Sequence, residues 1–306
     1  MSSSPRTTTR KPRPAERPAK GRNTLARNKA RGPFEVRFWG VRGSIPAPGP
    51  ATKRYGGNTP CVEVRCGGEL LIFDLGSGAR ALGDELGLKP LNASIFISHY
   101  HYDHLQGLPF FAPMFGPDNA ITLFGSPRNG QSVKQILAGQ MMPPYFPVTA
   151  EAVFRARVEY RDVVAGEVLE VGPARVRTLE LNHPGGNLGY RVDYQGRSLV
   201  YATDVEHGSE LDSRLFDFAR GADLLIYDSM YTEDEYHGRT GPARTGWGHS
   251  TWEAAVHAAN ASDVKTLVLF HHDPTRDDAK MDKLVRQVRK HRPEAIAAKE
   301  SMVLKL

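Results

Sequence analysis

Cysteine is scarce in this 306-residue chain, and its sequence contains no long apolar segment. The two cysteines, Cys61 and Cys66, could form one disulfide, but they are too few for the framework of a small secreted domain. We interpret them as reduced thiols of a cytoplasmic protein. No stretch approaches the roughly 20 apolar residues of a membrane helix, and the chain starts without the apolar core of a secretory signal. We therefore expect no membrane partner.

Acidic residues are almost missing from the first 32 positions. This segment has ten Lys or Arg against one acid, Glu16, so it has a net charge of about +9, and the remainder of the chain has about −3, which together give +6. It also has too few large apolar residues to offset the entropy that is lost on ordering. We predict a disordered basic Pro/Arg-rich tail at 1–32 and a folded domain at 33–306. The tail is a candidate for weak nucleic-acid contact, and the alternative is a solvated tail without a partner.

Strand and helix patterns alternate along the rest of the chain. The predicted strands are 34–39, 61–66, 69–74, 93–98, 121–124, 174–180, 187–194, 197–202, 223–227 and 264–270, and the predicted helices are near 78–86, 105–115, 130–139, 210–219, 251–261 and 277–290. This mixture predicts an α/β fold in which two sheets are flanked by helices.

Four side chains of metal-ligand type lie within six residues after one predicted strand. His99, His101, Asp103 and His104 follow the apolar strand 93–98. His99 and His101 are two positions apart, so their side chains point the same way in an extended segment. Imidazole and carboxylate together suit zinc, manganese, iron or cobalt. The segment therefore predicts a site for divalent metal ions.

The His-x-His-x-Asp-His pattern of residues 99–104 resembles the signature of the metallo-β-lactamase superfamily. Further family ligands occur in the expected order, each beside a predicted strand, as His183, Asp204 and His271. Asp74 matches a carboxylate that supports the site in this family without binding metal. The resemblance covers nearly everything except the tail. It implies a four-layer αββα sandwich with two mixed sheets.

The resemblance also implies two divalent ions, zinc first and manganese as the alternative. By this analogy, one ion is held by His99, His101 and His183, the other by Asp103, His104 and His271, and Asp204 bridges them. His272 is a rival for His271. We prefer His271 because it follows the apolar strand directly.

A pair of metal ions indicates a reaction type. Two neighbouring ions can lower the pKa of a shared water, so that a bridging hydroxide becomes the nucleophile. With the charges of Asp103 and Asp204 counted, the centre keeps a positive charge, which favours a phosphodiester. We assign Asp103 to the catalytic centre. Carboxylic esters and lactones remain alternatives, because the same ions polarise a carbonyl.

A second motif, Gly246-Trp-Gly-His-Ser-Thr-Trp-Glu-Ala-Ala255, is predicted as a loop that leads into a helix, with Ser250 or Thr251 near the N-cap. It resembles the Gly-His-Ser-Thr element of tRNase Z and its phosphodiesterase relatives. The resemblance implies that His249 reaches the metals and protonates the leaving oxygen. The alternative is a capping loop with an exposed histidine. Hydrolases of β-lactams lack this element, so we do not expect antibiotic hydrolysis.

Two turn-rich loops, 38–46 and 55–62, supply candidate substrate contacts. They resemble a phosphodiesterase-like branch of the superfamily that is related to the phosphonate-pathway cyclic phosphodiesterase. The predicted phosphate contacts are Arg42, Ser44, Asn58 and Thr59. The alternative is that these residues only form the turns, because Gly, Pro and Asn dominate both loops.

The apolar segment 141–147 is predicted to be exposed. Its Tyr145 and Phe146 either stack on a substrate base or pack within the fold or at a dimer contact. The family resemblance leaves a homodimer open.

Together these features predict a metal-dependent hydrolase of a small cyclic phosphodiester or cyclic nucleotide. The first alternative is a tRNA 3′-end endonuclease. In that family a long flexible arm grips tRNA, and no Gly/Pro/Lys-rich insertion of that kind lies between His104 and His183. A carboxylic ester or lactone hydrolase is another alternative. A non-catalytic binding protein is disfavoured, because all seven ligand positions are filled.

Overall fold

A computed structural model describes residues 1, 2 and 32–306 of the chain. The tail predicted at 1–32 lies outside the described residues, apart from positions 1, 2 and 32. No helix among the described residues is long and apolar enough to cross a membrane.

The described residues contain two seven-stranded sheets. The strands are β1 (Phe34–Gly40), β2 (Cys61–Cys66), β3 (Glu69–Phe73), β4 (Asn92–Phe96), β5 (Ala120–Gly125), β6 (Arg157–Asp162), β7 (Val168–Val171), β8 (Ala174–Leu181), β9 (Asn187–Tyr194), β10 (Arg197–Ala202), β11 (Leu224–Asp228), β12 (Thr266–Phe270), β13 (Ile296–Ala297) and β14 (Val303–Lys305). The first sheet has the order β14-β1-β2-β3-β4-β5-β6, and the second has the order β13-β12-β11-β10-β9-β8-β7. Both sheets are mixed: β3 to β6 and β10 to β13 are parallel, and the other pairs are antiparallel.

Helices connect the strands. They are α1 (Gly78–Leu86), α2 (Tyr102–Leu105), α3 (Val133–Gln140), α4 (Ala150–Val153), α5 (Leu211–Ala219), α6 (Glu233–Tyr236), α7 (Trp252–Ala261) and α8 (Asp278–His291), with 3₁₀ helices at Pro50–Thr52, Leu108–Phe110 and Ala112–Phe115.

Three apolar layers hold these elements together. One lies between the sheets and includes Phe73 and Phe270. The second lies between the first sheet and α1 and α3, and the third lies between the second sheet and α5, α7 and α8. The strands supply both sides: β3 directs Phe73 to the first layer and Ile72 to the second. This arrangement confirms the predicted four-layer αββα sandwich.

The parallel strands position the functional residues. The carboxyl ends of adjacent parallel strands lie at the same edge of a sheet, where open α/β folds bind ligands. At this edge, Asp74 follows β3, the segment 99–104 follows β4, Asp204 follows β10, and His271 follows β12.

The structure corrects some element boundaries. The helix predicted at 105–115 is wrong: α2 ends at Leu105, and two 3₁₀ helices follow. Pro109 and Pro113 lack the N–H groups that a continuous helix needs. The helix predicted from residue 130 begins at Val133, because Ser132 caps it in a capping box with Gln135. The charged and largely exposed edge strand β6 was not predicted.

Candidate metal centre

The structure brings together all seven residues that the sequence predicts as metal ligands. They form two groups in which the ligand atoms all lie within 4.8 Å of one another: His99, His101 and His183 in the first, and Asp103, His104, Asp204 and His271 in the second. The groups match the division predicted from the family resemblance. Nearly all of these side chains are buried, and only His101 is exposed.

Asp204 faces both groups. Its Oδ2 lies 3.6 Å from His99 Nε2 in the first group. Its Oδ1 lies 3.3 Å from His104 Nε2 and 3.3 Å from His271 Nε2 in the second. A carboxylate with one oxygen toward each group has the geometry that bridging two cations requires.

Two buried ligand nitrogens test whether the residues fit a metal. His99 Nε2 and His104 Nε2 are buried and have no hydrogen-bond partner among the described residues. A buried polar atom without a partner costs about 1–3 kcal/mol. One cation in each ligand group would satisfy these nitrogens, and imidazole with carboxylate is a common donor set for divalent metals. The residues therefore fit divalent metal ions.

Neighbouring groups orient the ligand rings. His104 Nδ1 lies 2.8 Å from Asp74 Oδ2, and this carboxylate also accepts hydrogen bonds from the Ser98 backbone N–H (2.7 Å) and the Tyr201 hydroxyl (2.8 Å). His183 Nδ1 is 2.7 Å from the carbonyl oxygen of Gly248. In both rings the Nδ1 contact leaves Nε2 to face the centre.

Gly248 makes the second of these contacts possible. Its φ is 86°, and a Cβ at this position would collide with His183 Nδ1. Only glycine combines this backbone conformation with so close an approach.

Strained backbone occurs where these side chains leave the strands. Asp74, Asp204 and His271 have φ of 60°, 53° and 59°. Residues other than glycine rarely adopt this left-handed conformation, and they do so mostly at functional sites. Here it turns each side chain from the end of a buried strand toward the centre.

The charges of the centre suit metal binding. Burial alone would raise the pKa of Asp204, but His104, His271 and His99 hold it well below its usual range. Burial lowers the pKa of His99 well below its ordinary value, and it also lowers the pKa values of His101 and His183. Ionised carboxylates and neutral imidazoles are the protonation states that bind cations. His104 differs, because burial lowers its pKa but Asp204, Asp103 and Asp74 outweigh burial and raise that pKa well above its ordinary value, so a cation bound there would displace a proton.

His249 lies against the second group and is not an exposed capping residue. It is 9% exposed, its ring stacks on His271 with centroids 4.9 Å apart, and its Nδ1 is 3.9 Å from Asp204 Oδ2. Thr251, two residues later, is the N-cap of α7. The fold thus places His249 between a strand-end cluster and a capped helix.

Asp228 supports His249, and the sequence analysis missed it. Its Oδ2 lies 2.8 Å from His249 Nδ1. In the metal-free chain, burial alone would lower the pKa of His249, but the Asp228 carboxylate raises it to about 9. The sequence did contain a signal for Asp228. It is the last residue of an apolar strand, and Asp74 and Asp204 likewise come shortly after the ends of apolar strands. The sequence alone did not show which histidine it faces.

The structure separates His271 from its rival. His271 Nε2 is 3.2 Å from Asp103 Oδ2, whereas His272 Nε2 donates to the carbonyl oxygen of Ala298 at 2.9 Å. Consecutive residues project in different directions here, and only His271 reaches the cluster.

Two of the four predicted phosphate contacts are buried inside the fold. Arg42 is fully buried and donates to the carbonyl oxygens of Gly56 (2.7 Å), Arg276 (2.6 Å) and Asp273 (3.2 Å). Thr59 is also fully buried. The prediction for these two residues is wrong, because their side chains satisfy backbone and neighbouring polar groups inside the fold.

The other two predicted contacts lie differently. Asn58 is half-buried, and its Oδ1 accepts a hydrogen bond from the Ser77 hydroxyl at 3.0 Å. Ser44 is exposed, and its backbone N–H donates to Asp103 Oδ2 at 2.8 Å. Ser44 is therefore the one member of the four that both borders the centre and has an exposed side chain.

The apolar segment 141–147 has one exposed and one packed aromatic residue. Tyr145 is 83% exposed. Phe146 packs edge-on against Phe110, with ring centroids 6.1 Å apart. Phe146 therefore packs within the fold, which was one of the predicted alternatives, and the ring of Tyr145 is open to solvent.

Comparison with known proteins identifies relatives. A family model described as the beta-lactamase superfamily domain matches residues 75–272. Ribonuclease Z from Pyrococcus abyssi is 27% identical over 285 residues, which cover 79% of this chain and 87% of that protein. Ribonuclease Z from Haloarcula marismortui is 24% identical over 306 residues, which cover 84% and 91% of the two chains.

Solved structures share the fold. The metallo-beta-lactamase fold protein YhfI from Bacillus subtilis matches with a TM-score of 0.69 and 19% identity over 90% of this chain and 100% of that one. The short form of human tRNase Z matches with a TM-score of 0.62 and 22% identity over 89% and 98%. A diphosphatase of the PhnP family matches with a TM-score of 0.64 and 19% identity over 89% and 97%.

Proposed function

The chain belongs to the beta-lactamase superfamily and is a metal-dependent hydrolase of its phosphodiesterase-like branch, and from this premise we propose that it cleaves RNA. The substrate that we propose is the 3′ end of precursor tRNA. The observation that carries the chemistry is one cleft that joins two ligand groups, a carboxylate shared between them, and the His249–Asp228 pair.

We propose that His99, His101 and His183 would hold one divalent ion, zinc or manganese, and that Asp103, His104 and His271 would hold another, with the Asp204 carboxylate facing both groups. Ions held there would lower the pKa of a water molecule and neutralise charge on a phosphate. Ser44 holds Asp103 through its backbone N–H, and Asp74 holds His104. These contacts fix the ligands before substrate arrives, so that little reorganisation is needed during the reaction.

His249 is the proposed proton donor. The leaving oxygen of an RNA phosphodiester is an alkoxide and needs a proton. Because Asp228 engages Nδ1 of His249, we assign the donation of the proton to Nε2. The carboxylate favours the protonated ring, and it also stabilises the ring orientation while the proton moves.

RNA is favoured over the small cyclic phosphodiester that the sequence predicted. The curated relatives are named ribonuclease Z, and they align with most of this chain at 24–27% identity. A small phosphodiester remains a second candidate on one observation. Residues 104–183 are described throughout and consist of short elements from α2 to β8, without the long arm that tRNase Z uses to grip tRNA.

Separate assays with two substrates test this proposal. The metal-loaded full-length protein is given a precursor tRNA with a 3′ trailer and, separately, 2′,3′-cyclic AMP. We expect the trailer to be removed at a single site, and the His249→Ala variant to have lost this activity while keeping its metal. Turnover of the cyclic nucleotide alone would favour the second candidate. Turnover of neither would contradict both.

A further inference from the structure

The cleft beside the first ligand group continues to an unpaired arginine. A cavity of about 200 Å³ is lined by His99 and His101 and also by Arg128 and Gly186. Arg128 is half-buried, and its guanidinium has no hydrogen bond or ion pair with any residue that the structure describes. A partly buried cation without a partner in a cleft is available to an anionic ligand.

A tight turn fixes the position of this arginine. Arg128 and Gln131 exchange backbone hydrogen bonds of 3.0 and 2.8 Å around Asn129 and Gly130. Asn129 and Gly130 have φ of 51° and 74°, as the two-residue type I′ turn requires. The turn lies shortly after β5, which pairs in parallel with β4, and β4 leads to the metal-binding histidines. Arg128 is therefore held beside the centre by rigid backbone.

Gly186 provides the surface on which the guanidinium rests. A Cβ built on Gly186 would lie 2.6 Å from both Cζ and Nη2 of Arg128. Any larger residue would displace the side chain. Gly186 belongs to the turn after His183, so the same short segment supplies a ligand-type histidine and the support for the arginine.

We propose that Arg128 binds a second phosphate of the substrate, next to the phosphate that is cleaved. This inference rests on the proposed function and specifies its substrate class: a nucleotide chain with at least two phosphates, in preference to a lone phosphodiester. A guanidinium presents paired N–H donors that match two phosphate oxygens. His99 and His101 of the first ligand group line the same cavity as Arg128, so one ligand in this cavity can contact both.

An adjoining cavity supports a nucleotide chain. This cavity of about 260 Å³ shares Tyr100 with the first and is also lined by Tyr102 and Tyr145. Tyr102 is 77% exposed and Tyr145 is 83% exposed, so both rings are open to solvent. Exposed aromatic faces beside a cation are the combination on which single-stranded nucleic acids bind. The cleft thus offers a phosphate contact followed by surfaces for a base.

The test compares two substrates in Arg128→Gln and Arg128→Lys variants. With precursor tRNA, we expect kcat/KM of Arg128→Gln to fall about 10- to 100-fold, mainly through KM, since hydrogen bonds to a charged group are lost. Bis-p-nitrophenyl phosphate has only one phosphate, so the fall in kcat/KM of Arg128→Gln with this substrate should be several-fold smaller than the fall with precursor tRNA. Arg128→Lys should recover part of the RNA activity. Arg214→Gln, on exposed α5 surface, is the matched control and should match the wild type.

A pair of glycine variants isolates the position of the guanidinium. Gly185 and Gly186 have nearly equal φ of 82° and 81°, so alanine strains the backbone similarly at both. Only the Cβ at Gly186 would meet Arg128, because no atom lies within 4 Å of a Cβ at Gly185. We expect Gly186→Ala to raise the KM for RNA more than Gly185→Ala does.

Equal losses on both substrates in Arg128→Gln, or an unchanged KM for RNA, would overturn the assignment of Arg128. Failure of the wild-type protein on both substrates would instead contradict the proposed function. The two failures are therefore distinguishable.

Discussion

His249 is not among the seven predicted metal ligands, and the Asp228 carboxylate holds its Nδ1. We expect His249→Ala to keep its metal and to lose turnover by about 10²- to 10⁴-fold, the usual contribution of a general acid. Metal content by elemental analysis and the rate of phosphodiester hydrolysis check this. His257→Ala, which removes an exposed histidine from α7, is the control and should behave as the wild type. Loss of metal from His249→Ala would argue against a proton donor and for a ligand.

Asp204 is the residue that both ligand groups share. We expect Asp204→Ala to bind fewer metal ions per chain than the wild type, because each group loses a carboxylate oxygen. Elemental analysis after dialysis measures this directly. Asp217→Ala, whose side chain is largely exposed and paired with Arg220, is the control with full metal content. Full occupancy in Asp204→Ala would exclude a bridging role.

At the scale of elements, α7 carries a destabilising carboxylate near its start. Glu253 is in the first turn, and burial raises its pKa to about 7. A carboxyl group whose pKa is higher in the folded than in the unfolded state binds more protons when folded. Its contribution therefore favours folding at low pH and is lost as the pH rises from about 4.5 through 7.

We accordingly expect Glu253→Gln to be more stable than the wild type at pH 8 and similar to it at pH 4, since the amide keeps an acceptor oxygen without the charge. Urea unfolding at the two pH values measures the difference. Glu210→Gln, in an exposed position just before α5, is the control. A wild type that is equally or more stable than Glu253→Gln at pH 8 would show that the charged form is well accommodated.

The elements also show what sequence could and could not predict. Strands such as β3 and β12 were predicted because strands buried on both faces are continuous apolar runs. The ligands were predicted because four lie within six residues in a local motif, and the others match family ligands that follow predicted strands. Arg42 was misassigned because its partners are carbonyl oxygens more than 200 residues away at Asp273 and Arg276. Long-range burial of this kind leaves no local pattern in the sequence.

At the scale of the whole molecule, charge is divided unevenly. Residues 1–31 have ten Lys or Arg and one acid, a net charge of +9, whereas residues 32–306 have a net charge of −3 and form one compact unit that contains every site residue discussed above. We expect deletion of residues 1–31 to leave hydrolysis of bis-p-nitrophenyl phosphate within about twofold of the wild type, because a substrate with a single phosphate gains little from a polycationic segment.

The same deletion is more informative when activity is measured with RNA. If the tail contacts nucleic acid, the shortened protein should show a higher KM for precursor tRNA and a weaker dependence of KM on salt. A large loss of activity toward bis-p-nitrophenyl phosphate would show that the tail belongs to the active site.

The central claim is that this chain hydrolyses phosphodiesters with divalent metal ions. The most direct test is hydrolysis of bis-p-nitrophenyl phosphate by the metal-stripped protein, refilled separately with zinc and with manganese. We predict no turnover after stripping and restored turnover with at least one of the two metals. Full binding of both metals without hydrolysis of this substrate would contradict the claim and would point to a carboxylic ester or lactone instead.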